Sequence, residues 1–327
     1  MNPSGSAVGL GLLSAASWGG SDFAGGLGAR RAPAQLVVVS GHIVTLFVLL
    51  AVCIGARLAL PSRHDLLFAA LGGFEGALAL TLFYRALAMG AMGLTAALTG
   101  LLTALVPVLF SLIKDGLPTS LTAAGLALGL AAIWLIAHSP AAKIPKPKAA
   151  KPWVNWRWVH PFRALREMGG KPQHSTSPAL LGNPNSATQS ATMPPLALLL
   201  AAAAGLGFGT QLILFKLAAG GSILWVMTSA RAAGVASMLL AILVAPPTRP
   251  WRGFWLFGIL AGSLDTLGNL FYIQTTRFGR LDVAAMVCSL YPAGTILLAA
   301  AVLREWPTRR QFAGIAVALA AVALLSL

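Results

Sequence analysis

The stretch AQLVVVSGHIVTLFVLLAVCIGA, residues 34–56, decides the fold class, because His42 is its only side chain that can carry a positive charge and it has no acid. A helix that crosses the hydrocarbon core of a bilayer needs about 20 mostly apolar residues. Every backbone polar group must be paired inside such a segment, which favours a helix. The run is also continuously apolar, whereas the strand of a membrane barrel alternates. The stretch therefore predicts a membrane-spanning helix.

Nine further stretches share this length and composition, so the sequence predicts an all-α integral membrane protein with ten transmembrane helices. In chain order the ten predicted spans are 7–28, 34–56, 66–88, 92–113, 119–138, 194–218, 222–245, 253–276, 280–303 and 308–327.

The overall composition agrees with this class. Of the 327 residues 57% are hydrophobic and 9% charged, whereas a soluble domain has about 25% charged residues. The net charge of +15 comes mostly from residues between the apolar runs, where membrane proteins carry topology signals. The charge is therefore not interpreted as a nucleic-acid-binding surface. Cys53 and Cys288 lie in apolar stretches and define neither a disulfide framework nor a metal motif, so no metal and no cofactor is expected.

A segment of different composition, residues 139–193, divides the chain. It holds eight of the 20 prolines and eight basic residues, with one acid. Its three tryptophans, at 153, 156 and 158, lie beside arginines, which is typical of a membrane-surface anchor, although a flexible linker remains equally compatible. The chain is thus divided into two five-helix halves, 1–138 and 194–327, joined by a basic Pro-rich linker.

The two halves also resemble each other. With a shift of 189 positions, residues 90–138 align with 279–327 without a gap, and His42 aligns with Arg231. Gly20-Ser21-Asp22 aligns with Gly209-Thr210-Gln211. An odd number of spans in each repeat places the two halves in opposite orientations, and inverted repeats are a recurrent plan of alternating-access carriers.

These features resemble the drug/metabolite transporter superfamily in its EamA-type ten-helix branch. The resemblance rests on Trp18-Gly19-Gly20-Ser21-Asp22-Phe23 in the first span, Arg231 in the second span of the second half, and Glu305-Trp306-Pro307-Thr308 after the fourth. The chain departs from the family pattern at His42, where Arg is usual, and in its long linker. The resemblance implies a secondary carrier in which spans 1, 3 and 4 of each half surround a central cavity.

Five ionisable residues fall inside predicted spans: Asp22, His42, Glu75, Arg231 and Asp265. A charge at the bilayer centre costs about 2.5–3.5 kcal/mol on insertion scales, so each of them suggests a function. Each half has a base in its second span and an acid in its third, so His42 and Arg231 are candidates for structural ion pairs with Glu75 and Asp265. The alternative is that Glu75 and Asp265 face the cavity and that at least one takes up a proton or meets the substrate.

Two polar stripes extend the candidate cavity. Residues spaced by three or four positions share a helix face, and a polar face on an apolar span belongs against a bundle interior or a wet cavity. The stripes are Asp265, Asn269 and Tyr272 on one span and Thr95, Thr99 and Thr103 on another. Candidate substrate or proton-cavity residues are therefore Asp22, Glu75, Asp265, Asn269, Tyr272, Thr99 and Thr103.

Prolines and small residues mark where helices bend or approach each other. Pro107 and Pro292 lie inside spans, where each removes one backbone hydrogen bond, and are candidate kinks or gating points. Three pairs of glycines at a spacing of four predict close helix packing. They are Gly72 with Gly76, Gly125 with Gly129, and Gly258 with Gly262.

The function expected from these features is secondary transport of a small metabolite or drug-like solute by alternating access, with proton coupling as an option. The alternative is a membrane scaffold or regulatory subunit anchored by the basic linker. An intramembrane enzyme is disfavoured, because His42 is the only intramembrane histidine and neither an HExxH nor a GxSxG motif occurs. The expected partners are the lipid bilayer and a small-molecule substrate. A monomer is compatible with the sequence, which leaves the oligomeric state open.

The expected location is the plasma or inner membrane of the cell, as a multi-pass protein. Ten spans place both termini on one side of the membrane. The basic residues of 139–193 favour a cytoplasmic linker by the positive-inside rule, and the remaining loops carry nearly balanced charge.

Overall fold

The computed structural model describes residues 3–89, 92–137, 194–247, 253–303 and 308–325, and most of these residues lie in helices. The helices are α1 (Pro3–Ala29), α2 (Ala34–Gly55), α3 (Arg63–Met89), α4 (Met92–Asp115), α5 (Ser120–Ala137), α6 (Pro195–Leu217), α7 (Ile223–Val244), α8 (Trp255–Phe278), α9 (Leu281–Cys288), α10 (Tyr291–Leu298) with a π-helical turn (Ala299–Leu303), and α11 (Arg309–Leu325). The linker predicted at 139–193 and the residues Glu305 to Pro307 lie outside the described residues.

Seven segments of the described residues are long and apolar enough to cross a membrane. They lie in α2, α3, α4, α6, α7 and α8 and in the stretch Leu281–Val302 that contains α9 and α10, and α5 is a shorter apolar helix. The regular structure of the described residues is therefore helical throughout, and the protein is an integral membrane protein with several spans. The count of ten spans remains a prediction.

The surface of the bundle is apolar and its interior is partly polar. Large hydrophobic side chains point outward along several helices, among them Phe47 on α2, which is 66% exposed, and Leu243 on α7, which is 78% exposed. Soluble monomers rarely expose contiguous apolar patches larger than a few hundred Å². Asp22, His42 and Arg231, by contrast, are buried. This distribution is that of a bundle surrounded by lipid.

Contacts between the two halves occur in exchanged pairs of residues 189 positions apart. Gly73 on α3 lies against the backbone of Ala230 on α7, and their equivalents Gly262 on α8 and Gly41 on α2 lie against each other. Two further sets of contacts show the same exchange. Gly125 lies against Leu325 while Gly314 lies against Ile136, and Gly207 lies against Ala79 while Gly268 lies against Trp18. If residue i of one unit contacts residue j of the other, and j also contacts i, the two units are related by a two-fold axis.

His42 and Arg231, which are equivalent in the repeat, contact each other directly at 2.6 Å. A residue can touch its own equivalent only close to such an axis. These contacts are those expected of two similar halves packed through a two-fold relation. The opposite orientation of the halves in the membrane remains a prediction.

The closest helix approach between α2 and α8 depends on glycines, which leads to a test. A Cβ atom on Gly41 would collide with the backbone of Gly258 and Gly262. We expect Gly41→Ala to lower the free energy of unfolding by about 1–3 kcal/mol, since overpacked contacts force backbone shifts of that cost. Denaturation in mixed detergent micelles measures it. The control is Gly9→Ala, where a Cβ meets nothing within 4 Å, and unchanged stability of Gly41→Ala would contradict the described packing.

Candidate functional site

A row of polar side chains crosses the interior of the bundle from α2 to α8. Arg231 donates from one terminal nitrogen to Nε2 of His42 and from the other to Oδ2 of Asp265, both at 2.6 Å. Asn269, one turn further along α8, donates to Oδ1 of Asp265 at 3.1 Å and to its carbonyl oxygen at 2.8 Å. All four residues are buried, so the row lies in a medium where each unmet polar group is costly.

The contact with Arg231 fixes the tautomer of His42. A guanidinium group can only donate hydrogen bonds, so Nε2 of a neutral His42 is the acceptor and the proton lies on Nδ1. That Nδ1 and the Nε of Arg231 find no hydrogen-bond partner among the described residues. Both side chains line a small cavity of about 10 Å³, measured as space for the centre of a water-sized sphere. A cavity of this size has room for about one water molecule.

Asp22 on α1 is the buried acid that this row leaves unpaired. It is 5% exposed, its Oδ2 has no hydrogen-bond partner, and it forms no ion pair with any described residue. The Oδ1 of Asn269 is likewise buried without a donor in the described part of the chain. Buried polar groups normally have partners, so two unmet acceptors on facing helices are a sign of a site that binds something else.

Asp22 and Asn269 line the central cavity, which measures about 30 Å³ on the same scale. Its wall comes from α1, α3, α4, α6, α8 and α10, the helices of the spans expected from the sequence to surround a cavity. The lining residues are Trp18, Asp22, Leu80, Thr103, Phe208, Gln211, Leu212, Asp265, Asn269 and Tyr291. Asp265 lines both cavities, as do Leu80, Phe208 and Gln211, whereas Arg231 and His42 line only the smaller one.

Aromatic rings cover one side of the central cavity. The ring of Trp18 lies edge-on to that of Tyr291, with the two centroids 6.2 Å apart. The centroid of the Trp18 ring is also 6.0 Å from that of Tyr272. Phe83 packs edge-on against Phe208 at 5.8 Å. Aromatic pairs at these distances prefer such tilted and edge-to-face arrangements, so part of the wall is formed by packed rings.

Several predicted site residues are placed here, and others are not. Asp22, Asp265, Asn269 and Thr103 line the central cavity. Tyr272 is fully buried beside it, and its hydroxyl donates to the carbonyl of Leu212 at 2.7 Å.

Two further candidates, Thr99 and Glu75, do not line the cavity. The hydroxyl of Thr99 donates to the carbonyl of Ala201 on α6 at 3.1 Å, which is the interhelical bonding that such residues provide in membranes. Glu75 is half-buried on α3 near Gly207 and is not among the lining residues of either cavity.

Of the two expected ion pairs, one is formed and the other is not. Arg231 and Asp265 form a salt bridge at 2.6 Å. His42 contacts Arg231 instead of Glu75, because α2 packs against α7 here while Glu75 lies near Gly207 on α6. The sequence pattern did not reveal this, since it gives the position along a helix but not the direction in which the side chain points.

The two prolines differ in their effect on the chain. Pro107 lies within the continuous helix α4. Pro292 is at the start of α10, after a break at residues 289–290 that divides the span into α9 and α10. Pro292 has no N–H for the carbonyl four residues earlier, which explains why the helix is interrupted here. The interruption places Tyr291 at the cavity wall.

Six lining residues were not singled out as site residues from the sequence, and three of them, Trp18, Gln211 and Tyr291, carry polar groups. Two of them had a signal. Gln211 is the repeat equivalent of Asp22, and Trp18 lies four residues before Asp22 on the same helix face. Tyr291 had none, because its position depends on the break in the helix.

In comparison with known proteins, residues 195–327 match the model of the EamA-like transporter family. A crystal structure of a protein with 18% sequence identity shares the fold with a TM-score of 0.64, over 98% of this chain and 98% of that one. No curated protein matches the chain.

Proposed function

We propose that the protein is a secondary transporter that moves a small metabolite or drug-like solute by alternating access, since residues 195–327 match the model of the EamA-like transporter family. The observation that supports this most is the central cavity, where the unpaired carboxylate of Asp22 and the amide oxygen of Asn269 lie between helices of both halves. Such groups are costly in a membrane interior and are retained there for function.

The size of the cavity supports a closed state of a carrier. Space of about 30 Å³ for water centres accommodates about two water molecules, whereas pockets for small molecules typically measure about 300–1,000 Å³. A solute can therefore enter only when helices of the two halves move apart. In the proposal the halves are inverted repeats, 1–138 and 194–327, that expose the cavity to each side of the membrane in turn.

Proton coupling is part of the proposal and is assigned to Asp22. Asp265 is already bound to Arg231 and Asn269. Asp22 has no such partners. The other ionisable groups around it are Asp265 on α8, Tyr84 on α3 and Tyr291 on α10, with Arg231 and His42 beyond Asp265.

Transport by the purified protein in liposomes tests the proposal. The proteoliposomes are loaded at one pH, diluted into another and offered labelled metabolites of different charge. We expect saturable uptake of at least one solute that depends on the direction of the pH gradient and is missing in protein-free liposomes. A scaffold or regulatory subunit predicts no flux of any solute.

Surface labelling of whole cells would test the plasma or inner membrane as its location.

The role of Glu75 has its own test. Because Glu75 is half-buried and lies outside the cavity wall, we expect Glu75→Gln to retain at least about half of the wild-type uptake rate, as surface substitutions usually have small effects. Uptake and its pH dependence are measured on protein of verified thermal stability. Loss of transport with normal stability would instead assign the proton or the substrate to Glu75.

A further inference from the structure

The charges on the wall of the central cavity have one sign. Two carboxylates, Asp22 and Asp265, line it, and no basic residue is among its described lining residues. Arg231 and His42 line the smaller cavity, on the far side of Asp265. Arg231 compensates the charge of Asp265 at 2.6 Å, which leaves one uncompensated negative charge at Asp22 when it is ionised.

Three hydrogen-bonding groups at this wall are unmet: two acceptors, on Asp22 and Asn269, and the hydroxyl of Tyr291, which can donate or accept. Oδ2 of Asp22 and Oδ1 of Asn269 are both buried without a donor, and these residues are 5% and 2% exposed. An ionised carboxylate accepts only, and an amide oxygen accepts only. The missing partner of the two acceptors is therefore a donor, and the uncompensated charge of Asp22 favours a donor with a positive charge and repels an anionic group.

The apolar part of the wall distinguishes between cations. Trp18, Phe208 and Tyr291 line the same cavity. Aromatic rings attract ammonium groups through their faces and pack against the carbon atoms attached to the nitrogen. A metal ion would need several more oxygen ligands than the three unmet ones. The space of about 30 Å³ fits an ammonium group and the carbon next to it, and the rest of a solute requires the open state.

We infer that the transported solute is an organic amine, whose ammonium group donates hydrogen bonds to Asp22 and Asn269 against the ring of Trp18. The inference rests on the proposed transport function and names its substrate class. It also explains why Asp22 lacks a cationic partner within the protein, because the substrate supplies that charge and a proton replaces it when the site is empty.

Binding in detergent tests this without any transport. The probes are 2-phenylethylammonium chloride, the neutral analogue 2-phenylethanol, the anion 3-phenylpropanoate, and sodium chloride at equal ionic strength. We expect the ammonium compound alone to raise the unfolding temperature of the full-length protein, by about 2 °C or more at saturation. The rise should be lost in Asp22→Asn and reduced in Asn269→Leu, and it should persist in Asp115→Asn, which removes an exposed acid at the end of α4.

Three results would overturn the inference. Equal stabilisation by 2-phenylethanol or by 3-phenylpropanoate would mean that charge is not recognised. A sodium effect that disappears in Asp22→Asn would assign the site to an inorganic cation. An undiminished amine effect in both Asp22→Asn and Asn269→Leu would place binding elsewhere. If liposomes take up a neutral or anionic solute and the protein binds no amine, the amine substrate is rejected and the transport function stands. If the protein binds the amine but no solute crosses the membrane, the transport function is rejected and the amine site stands.

Discussion

Replacing Arg231 by methionine is expected to lower the free energy of unfolding by about 3–5 kcal/mol, the usual cost of removing one partner from a buried ion pair. Arg231 is 3% exposed and holds both Asp265 and His42 at 2.6 Å. Its loss leaves the Asp265 carboxylate with only the amide of Asn269 and removes the donor to His42. Reversible unfolding in mixed micelles measures the change.

A double variant separates the ion pair from a simple packing effect. Arg231→Met combined with Asp265→Leu removes both charges, and apolar replacement of a whole buried pair is often neutral or stabilising. We therefore expect the double variant to be more stable than Arg231→Met alone. If the double variant loses as much stability as Arg231→Met and Asp265→Leu lose together, the ion pair is not the source of the stability that Arg231 contributes.

Replacing Asp22 by asparagine is expected to abolish most transport and to leave the fold intact. The side chains have the same shape, but the neutral amide cannot release a proton or attract a cation. Hydrogen bonds to charged groups contribute about 1.5–3 kcal/mol, so substrate affinity should fall about 10- to 100-fold. Thermal stability should be unchanged or higher, because the variant no longer desolvates an unpaired charge.

The control for Asp22→Asn is Asp115→Asn, which removes a charge from the exposed end of α4, where Ser111 donates to Asp115 at 2.7 Å. It should transport like the wild type. Unimpaired transport by Asp22→Asn, at any external pH, would contradict the role given to Asp22.

Much of the fold was predictable because membrane spans are marked by length and apolarity. All ten predicted stretches contain helix in their described residues. His42 and Arg231, which the 189-residue shift aligns, are also in contact in the structure. The break before Pro292 was less predictable, because a proline can bend a helix or end it, as the continuous α4 around Pro107 illustrates.

The site was predictable only in part, for a physical reason. In a soluble helix the apolar face reveals which side is buried, but spans that are apolar all round give no such signal. The stripe of Asp265, Asn269 and Tyr272 identified one face of α8 correctly as interior, because its polar residues are exceptional. Glu75 was equally exceptional and yet lies outside the cavity wall, since the rotation of α3 is fixed by glycine contacts with α6 and α7.

The central claim, that the cavity opens to each side of the membrane in turn, is tested most directly by thiol accessibility at Thr103. This residue lines the cavity and is 2% exposed, and cysteine is close to it in size. In a background where the buried Cys53 and Cys288 are replaced by alanine and transport is retained, Thr103→Cys is treated with a membrane-impermeant thiol reagent from either side. Alternating access predicts labelling from both sides, slowed by substrate; labelling from only one side, or from neither in a protein that transports, would contradict it.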